Sequence, residues 1–201
     1  QQERWIRARS QRLLPVAHFH VVFTLPSELR RLTKAYARDV LDALCRAASE
    51  TLIALGQSRL QATIGITTVL HTWTRKLEFH PHVHGLVTAG GFAAERSEWR
   101  ATSKQYLFPV EAMRDVFRAK MIAALSACYA EGTFARFDDF DDPEGFERLM
   151  RRIAAKDWVV YAKKPFREVG HVLRYLGRYT HRVAIANSRI VNVTDSAVSF
   201  R

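Results

Sequence analysis

The sequence predicts an α+β domain, a mixed, largely antiparallel sheet with helices mainly on one face. Segments rich in β-branched and aromatic residues alternate with segments of helical spacing in the order β–α–β–β–α–(α)–β–α. Two of the β segments lie close enough in sequence to form a hairpin. With 201 residues, 48% of them hydrophobic, and twelve Phe, the chain holds apolar material for one packed domain.

Each element has its own signal. The stretch 1-QQERWIRARSQRLLP-15 is basic, starts in helical character and ends at a proline; it reads as an arm or linker, leaving 16–201 as the domain proper. Next, 18-HFHVVFTLP-26 has strand composition and stops at Pro26. From Pro26 to Gly56, Leu32, Tyr36, Val40, Leu44, Ala48 and Leu52 recur at helical spacing, predicting one long amphipathic helix. The β segments 62-ATIGITTVLHTW-73 and 82-HVHGLVTAGG-91 flank the polar connection 74-TRKLEFHP-81 and predict an antiparallel hairpin. After an irregular stretch come a helix over 109–132, closed by Gly132, and a shorter one from Pro143 to Lys156. The strand 158-WVVYAKKPF-166, a helix over 168–182, and the short β segments 183-VAIAN-187 and 190-IVNV-193 follow. The final 194-TDSAVSFR-201 reads as the start of another hairpin, so the chain is expected to be incomplete at both ends.

Charge narrows the partner. The net charge is +11, and nine Lys or Arg stand against Asp157 and Glu168 between Arg151 and Arg182, a local +7. Such an excess points to a polyanion, nucleic acid before an acidic membrane surface. The acidic block 138-DDFDDPEGFE-147 reads as a solvated loop and helix start. No apolar run approaches the length of a membrane span and no secretory signal is visible. Cys45 and Cys128, far apart and outside any CxxC, read as free buried thiols suited to a reducing cytoplasm.

Two constellations carry chemistry. In 79-FHPHVHGLV-87, His82 and His84 are two apart on a strand and project to the same face, a bidentate metal site on a rigid support. Pro81 puts a regular strand before it in doubt, which demotes His80, and His71 at the end of the preceding strand would face the pair across a tight hairpin. Spacing alone weighs a metal site and hydrogen-bonded surface histidines evenly. Downstream, in 171-HVLRYLGRYTHR-182, Tyr175 and Tyr179 share one helix face, with Arg174 and Arg178 on the adjacent one. A tyrosine pair at that spacing is usually a core edge, but the basic surroundings would draw a phosphate backbone towards the phenols. Together the sites define a reaction: Lewis-acid assistance at a phosphodiester and in-line attack by a phenol.

The motif His82-Val83-His84 on a strand, followed by a Tyr-x3-Tyr helix, resembles the HUH superfamily of single-strand DNA endonucleases. More closely, 70-LHTW-73, 80-HPHVHGLV-87, 158-WVVYAKKPF-166 and 174-RYLGRYTHRVAIAN-187 look like the two-tyrosine transposases of rolling-circle insertion sequences, the IS-ninety-one type, over about 19–193. The resemblance implies an HUH-like antiparallel sheet with flanking helices and a ferredoxin-like, RRM-like core. It also implies a DNA nicking and joining enzyme that needs Mg²⁺ or Mn²⁺ and passes through a 5′-phosphotyrosine.

Carried over residue by residue, the metal ligands are His82 and His84, with His71 the first choice as third ligand and His80, Glu78 and His181 behind it. The nucleophiles are Tyr175 and Tyr179, and Lys163, Lys164, Arg174, Arg178 and Arg182 are the DNA contacts. The implied partner is single-stranded DNA at transposon ends and targets, with self-association open, and the implied setting is a bacterial cytoplasm at the nucleoid. The resemblance departs in one respect: the family's N-terminal cysteine-rich zinc module has no counterpart in this sequence. A replication initiator or relaxase of the same superfamily, a zinc hydrolase using Glu78 as base, and a non-catalytic DNA-binding module are the competing readings.

Overall fold

The computed structural model describes residues 2–11, 13–74, 76, 78–102, 107–142, 144–163, 173, 190–194 and 196–200. The elements are α1 (Gln2–Ser10), β1 (His18–Thr24), α2 (Arg30–Ala35), α3 (Ala37–Leu55), β2 (Thr63–Trp73), β3 (Phe79–Ala93), β4 (Glu98–Ala101), α4 (Val110–Ala130), α5 (Gly145–Ala154), β5 (Val160–Ala162), β6 (Ile190–Val193) and β7 (Val198–Phe200).

The main sheet runs β2-β3-β1-β5 with every neighbouring pair antiparallel, and β4 adds to the far end of β3. This order, reached through β1–helix–β2–β3–helix–β5, is the ferredoxin-like βαββαβ arrangement. The α+β class and the antiparallel core expected from the sequence are therefore present. β6, the strand expected over 190–193, pairs with β7 as a separate ribbon, so the last residues close a hairpin with the preceding strand instead of opening a new one.

Strand alternation sorts the two faces of the sheet. Phe19, Val21 and Phe23 of β1 and Val83 and Val87 of β3 are buried in one core with Val40, Leu44 and Leu52 of α3 and Met113, Phe117, Met121 and Leu125 of α4. The four α4 residues recur every fourth position, which puts them on one stripe facing the sheet. Each such side chain contributes about 1.5–3 kcal/mol on leaving water. The alternate residues, His18, His20, Val22 and Thr24 on β1 and His82, His84, Leu86 and Thr88 on β3, lie opposite one another and share the other face.

Three local expectations are revised. The helix predicted from Pro26 to Gly56 is divided: Tyr36 leaves helical geometry (φ −124°, ψ 56°) and its ring packs edge-on against Phe134 at 5.2 Å between centroids. Tertiary packing of one aromatic overrides the local spacing, and a single turn of wider helix, Gly56–Leu60, then closes the element. Second, the irregular stretch after Gly91 contains β4, whose sequence EWRA has no apolar alternation. Its pairing depends on Gly90, at φ +149°, where a Cβ would stand 2.6 Å from the Arg100 carbonyl oxygen. Third, the strand predicted over 158–166 is only Val160–Ala162 among the described residues, because Trp158 turns into the core. Of the helix predicted over 168–182 only Leu173 is described, helical and buried. The β segment 183–187 lies outside the described residues.

Candidate metal centre

The face of the sheet opposite the helices carries a ladder of histidines. The register places His71 of β2, His82 of β3 and Thr24 of β1 in one row, and Val69, His84, Val22 and Tyr161 in the next. His20 follows on β1, opposite Leu86 and bonded through its carbonyl to the Lys163 amide at 2.9 Å. A row crosses strands that are distant in sequence, so residues far apart in the chain become neighbours.

His71, His82 and His84 each present a ring nitrogen, and these atoms lie within 4.8 Å of one another. His82 donates from Nδ1 to the His80 carbonyl at 2.6 Å, which leaves Nε2 as a lone pair directed at the cluster. His71 Nδ1 stands 3.3 Å from that Nε2, with the rings perpendicular. Two imidazoles on one ion at ~2.1 Å would have donors ~3.0–3.4 Å apart, so the separation suits shared ligation. His84 Nδ1 and His20 Nε2 are 2.9 Å apart, the centroids 5.1 Å apart and the rings 13° from parallel. With each nitrogen ~1.2 Å from its ring centre, 5.1 Å is the length of an in-line hydrogen bond between nearly coplanar rings, not of a face-to-face stack. That bond occupies Nδ1 of His84 and leaves Nε2 as the atom it can offer to a metal. The donor set fits a divalent ion.

Electrostatics favour the same protonation states. Burial holds His82 at about 4, helped by neighbouring His71 and His80 and opposed by its bond to the His80 carbonyl. Burial holds His84 at about 3, with His82, His20, His71 and Lys163 adding repulsion. His20 lies at about 4 through burial first and then the charges of Lys163 and His82. Against the ordinary 6.5, all three are neutral at pH 7, the form that offers a lone pair to a metal.

A pH dependence of stability follows. These folded values lie below the unfolded value, so the unfolded chain binds more protons between them. The stabilisation is complete above pH 6.5 and is lost as pH falls through 6.5 towards 4. In chelator-treated protein the urea midpoint should drop between pH 6.5 and 5, before most carboxylates titrate. A flat midpoint across that interval would contradict neutral burial.

The other sequence candidates divide clearly. His71, His82 and His84 come together as expected. His80 contributes its backbone carbonyl to His82, and Pro81 does not interrupt β3. The proline sits at the irregularity between the His71–His82 and Trp73–Phe79 pairs, where its missing N–H costs no ladder bond, while its carbonyl accepts from the Leu25 amide at 3.1 Å. Glu78 is exposed at the hairpin tip beside Thr74 and stands outside the cluster. Lys163 directly follows β5 and stands near His20 and His84. Tyr175, Tyr179, Lys164, Arg174, Arg178, His181 and Arg182 lie outside the described residues. His20 was missed by sequence reasoning; its signal was an HxH of its own, His18-Phe19-His20, set in an apolar strand. Cys45 and Cys128 are free, as expected, but half-buried instead of buried, and that partial burial pushes both thiols up. No helix among the described residues is long and apolar enough to cross a membrane.

Comparison with known proteins closes the identification. Over 97–98% of its length the chain aligns with two curated proteins. It is 39% identical to "Putative transposase y4qJ" of Sinorhizobium fredii, covering 51% of that protein. It is 33% identical to "Transposase for insertion sequence element IS801" of Pseudomonas savastanoi pv. phaseolicola, covering 46%. The chain thus spans about half the length of the curated relatives it matches. Among solved structures, conjugative relaxase TrwC in complex with oriT DNA aligns at 15% identity with a TM-score of 0.44, over 80% of this chain and 71% of that one. Its metal-bound form aligns at 16% identity and 0.42, over 82% and 70%. Neither likeness is close enough to transfer a residue role. Residues 65–201, about two thirds of the sequence and including every histidine of the cluster, match the family described as "Putative transposase", and the chain belongs to this Y2 transposase family.

Proposed function

We propose that this chain is the nicking and joining unit of a rolling-circle transposase, acting on single-stranded DNA through a 5′-phosphotyrosine. The observation that carries the reading is the convergence of His71, His82 and His84 on one sheet face, with His82 and His84 held neutral by burial, in a chain whose relatives are described as transposases. Residues 16–201 form the catalytic domain and 1–15 a basic arm. A cytoplasmic setting at the nucleoid suits such an enzyme, and self-association would bring two element ends together.

His71, His82 and His84 hold the ion, Mg²⁺ or Mn²⁺, which supplies Lewis-acid charge to the oxygens of the scissile phosphate. Ligation through Nε2 requires the proton of His84 on Nδ1, so His84 donates to Nε2 of His20, which keeps its own proton on Nδ1. His20 thereby fixes the ring orientation and tautomer of His84. Lys163, Lys164, Arg174, Arg178 and Arg182 neutralise the phosphate backbone. A phenolate of Tyr175 or Tyr179 attacks phosphorus in line. The P–O3′ bond breaks, the leaving oxygen takes a proton to become a 3′-hydroxyl, and the phosphoester is retained on the tyrosine. A 3′-hydroxyl from another strand reverses the step, and the second tyrosine allows a second cut in the same site.

The test is incubation of labelled single-stranded oligonucleotides from the element ends with and without Mn²⁺. A denaturant-resistant protein–DNA band should form with Mn²⁺, persist in each single Tyr→Phe variant and vanish when Tyr175→Phe and Tyr179→Phe are combined. Cleavage without any adduct would overturn the tyrosine route, and binding without cleavage under every metal would leave a DNA-binding module. Separately, His20→Ala should weaken Mn²⁺ binding by about 10–100-fold in calorimetry, with His20→Asn, whose amide oxygen accepts from Nδ1–H, recovering part of it.

A further inference from the structure

We propose that Tyr161 is a stacking platform for a base of the single-stranded DNA, close to the histidine cluster on the same face of the sheet; this rests on the proposed function and deepens it. The motif 158-WVVYAKKPF-166 supplied two lysines to that reading and left its tyrosine without a role. Alternation on β5 turns Val160 into the core at 6% exposure and leaves Tyr161 52% and Val159 61% exposed on the opposite side. Tyr161 pairs with Val22, and Val22 pairs with His84, so the three stand in one row across the sheet. Two strand spacings place the tyrosine ~10 Å from the His84 position. Measured along a DNA strand, that is within ~1–3 nucleotides of the phosphate at the cluster.

The surroundings fit a nucleobase. Among the described residues no ring packs on Tyr161 and its phenol makes no hydrogen bond. It therefore presents an apolar ring face, with Val159 beside it, on the edge strand of the described sheet. Lys163, two positions on, stands beside His20 in the next row, and its charge reaches His20 and His84. An exposed aromatic beside a cation on a surface that follows a phosphate backbone is the pattern by which single strands are held independently of sequence. The platform places a base and so positions the neighbouring phosphate. It takes no part in bond breaking.

The experiment uses the full chain and a fluorescein-labelled oligothymidylate, with binding read by anisotropy in EDTA so that no cleavage intrudes. Tyr161→Ala should weaken binding by about 5–150-fold, whereas Tyr161→Phe and Tyr161→Trp should stay within about twofold of the parent. The slope of affinity against salt should be the same in all four proteins, because no phosphate contact is removed. An alanine variant that binds like the parent, or a phenylalanine variant that loses as much as alanine, overturns the platform while leaving the proposed function standing. A parent chain that binds no oligonucleotide overturns the proposed function and the platform with it. Thermal melting of the alanine variant should match the parent, as expected for an exposed side chain.

Discussion

Replacing His84 by alanine should remove tight Mn²⁺ binding and lower the rate of single-strand cleavage by about three orders of magnitude. His84 stands between two other donors and its neighbour His20, and it is 5% exposed. Its loss leaves two ligands and strands the His20 ring nitrogen that faced it. An ion held there would supply several kcal/mol of charge stabilisation at the phosphate, and each ~1.4 kcal/mol is tenfold in rate. Calorimetric Mn²⁺ titration and single-turnover cleavage check the two halves separately. His80→Ala is the contrasting variant: it keeps the backbone carbonyl that orients His82, so metal affinity should change little. Equal losses in both variants would place the centre elsewhere.

The largest effect on stability is expected from Trp158→Ala, at about 3–5 kcal/mol. Trp158 is 1% exposed, meets Phe117 edge-on at 5.3 Å between centroids, and donates from Nε1 to the Ile153 carbonyl at 2.8 Å. Phe117 in turn lies 4.9 Å from Phe23 of β1. Truncation opens a cavity between α4, the end of α5 and the sheet, and removes the shorter of the two hydrogen bonds to the Ile153 carbonyl, leaving the one from the Lys156 amide at 3.3 Å. Urea denaturation followed by circular dichroism gives the value; a loss below ~1 kcal/mol would mean that the site collapses around the smaller side chain. Because Trp158 also anchors the entry to β5, the variant should weaken DNA binding at temperatures where it remains folded.

Much of the centre was legible because it is local. His82 and His84 share a face through a period of two, and His71 reaches them across one hairpin, an 11-residue separation that turn signals alone define. The amphipathic stripes of α3 and α4 were legible for the same reason: Leu44 and Leu52, or Met113 and Phe117, reveal a face through spacing. The break at Tyr36 was hidden because its cause, Phe134, lies about a hundred residues away. Pro81 misled in the opposite direction, because the irregular pairing that tolerates it is a property of two strands together. β4 escaped because a short exposed edge strand needs no apolar alternation.

By itself the sequence determined the α+β class, the βαββαβ order, the basic character and the shared face of His82 and His84, all written in periodicity, charge and short-range spacing. Only the tertiary structure decided that β1 lies between β3 and β5. That placement brings His20 against His84 across 64 residues and sets Tyr161 in the same row. The physical reason is that strand pairing is a non-local choice, stabilised by backbone hydrogen bonds common to all residues and by the burial of Phe19, Val21 and Phe23 on the far face. Which histidines become neighbours follows from that choice.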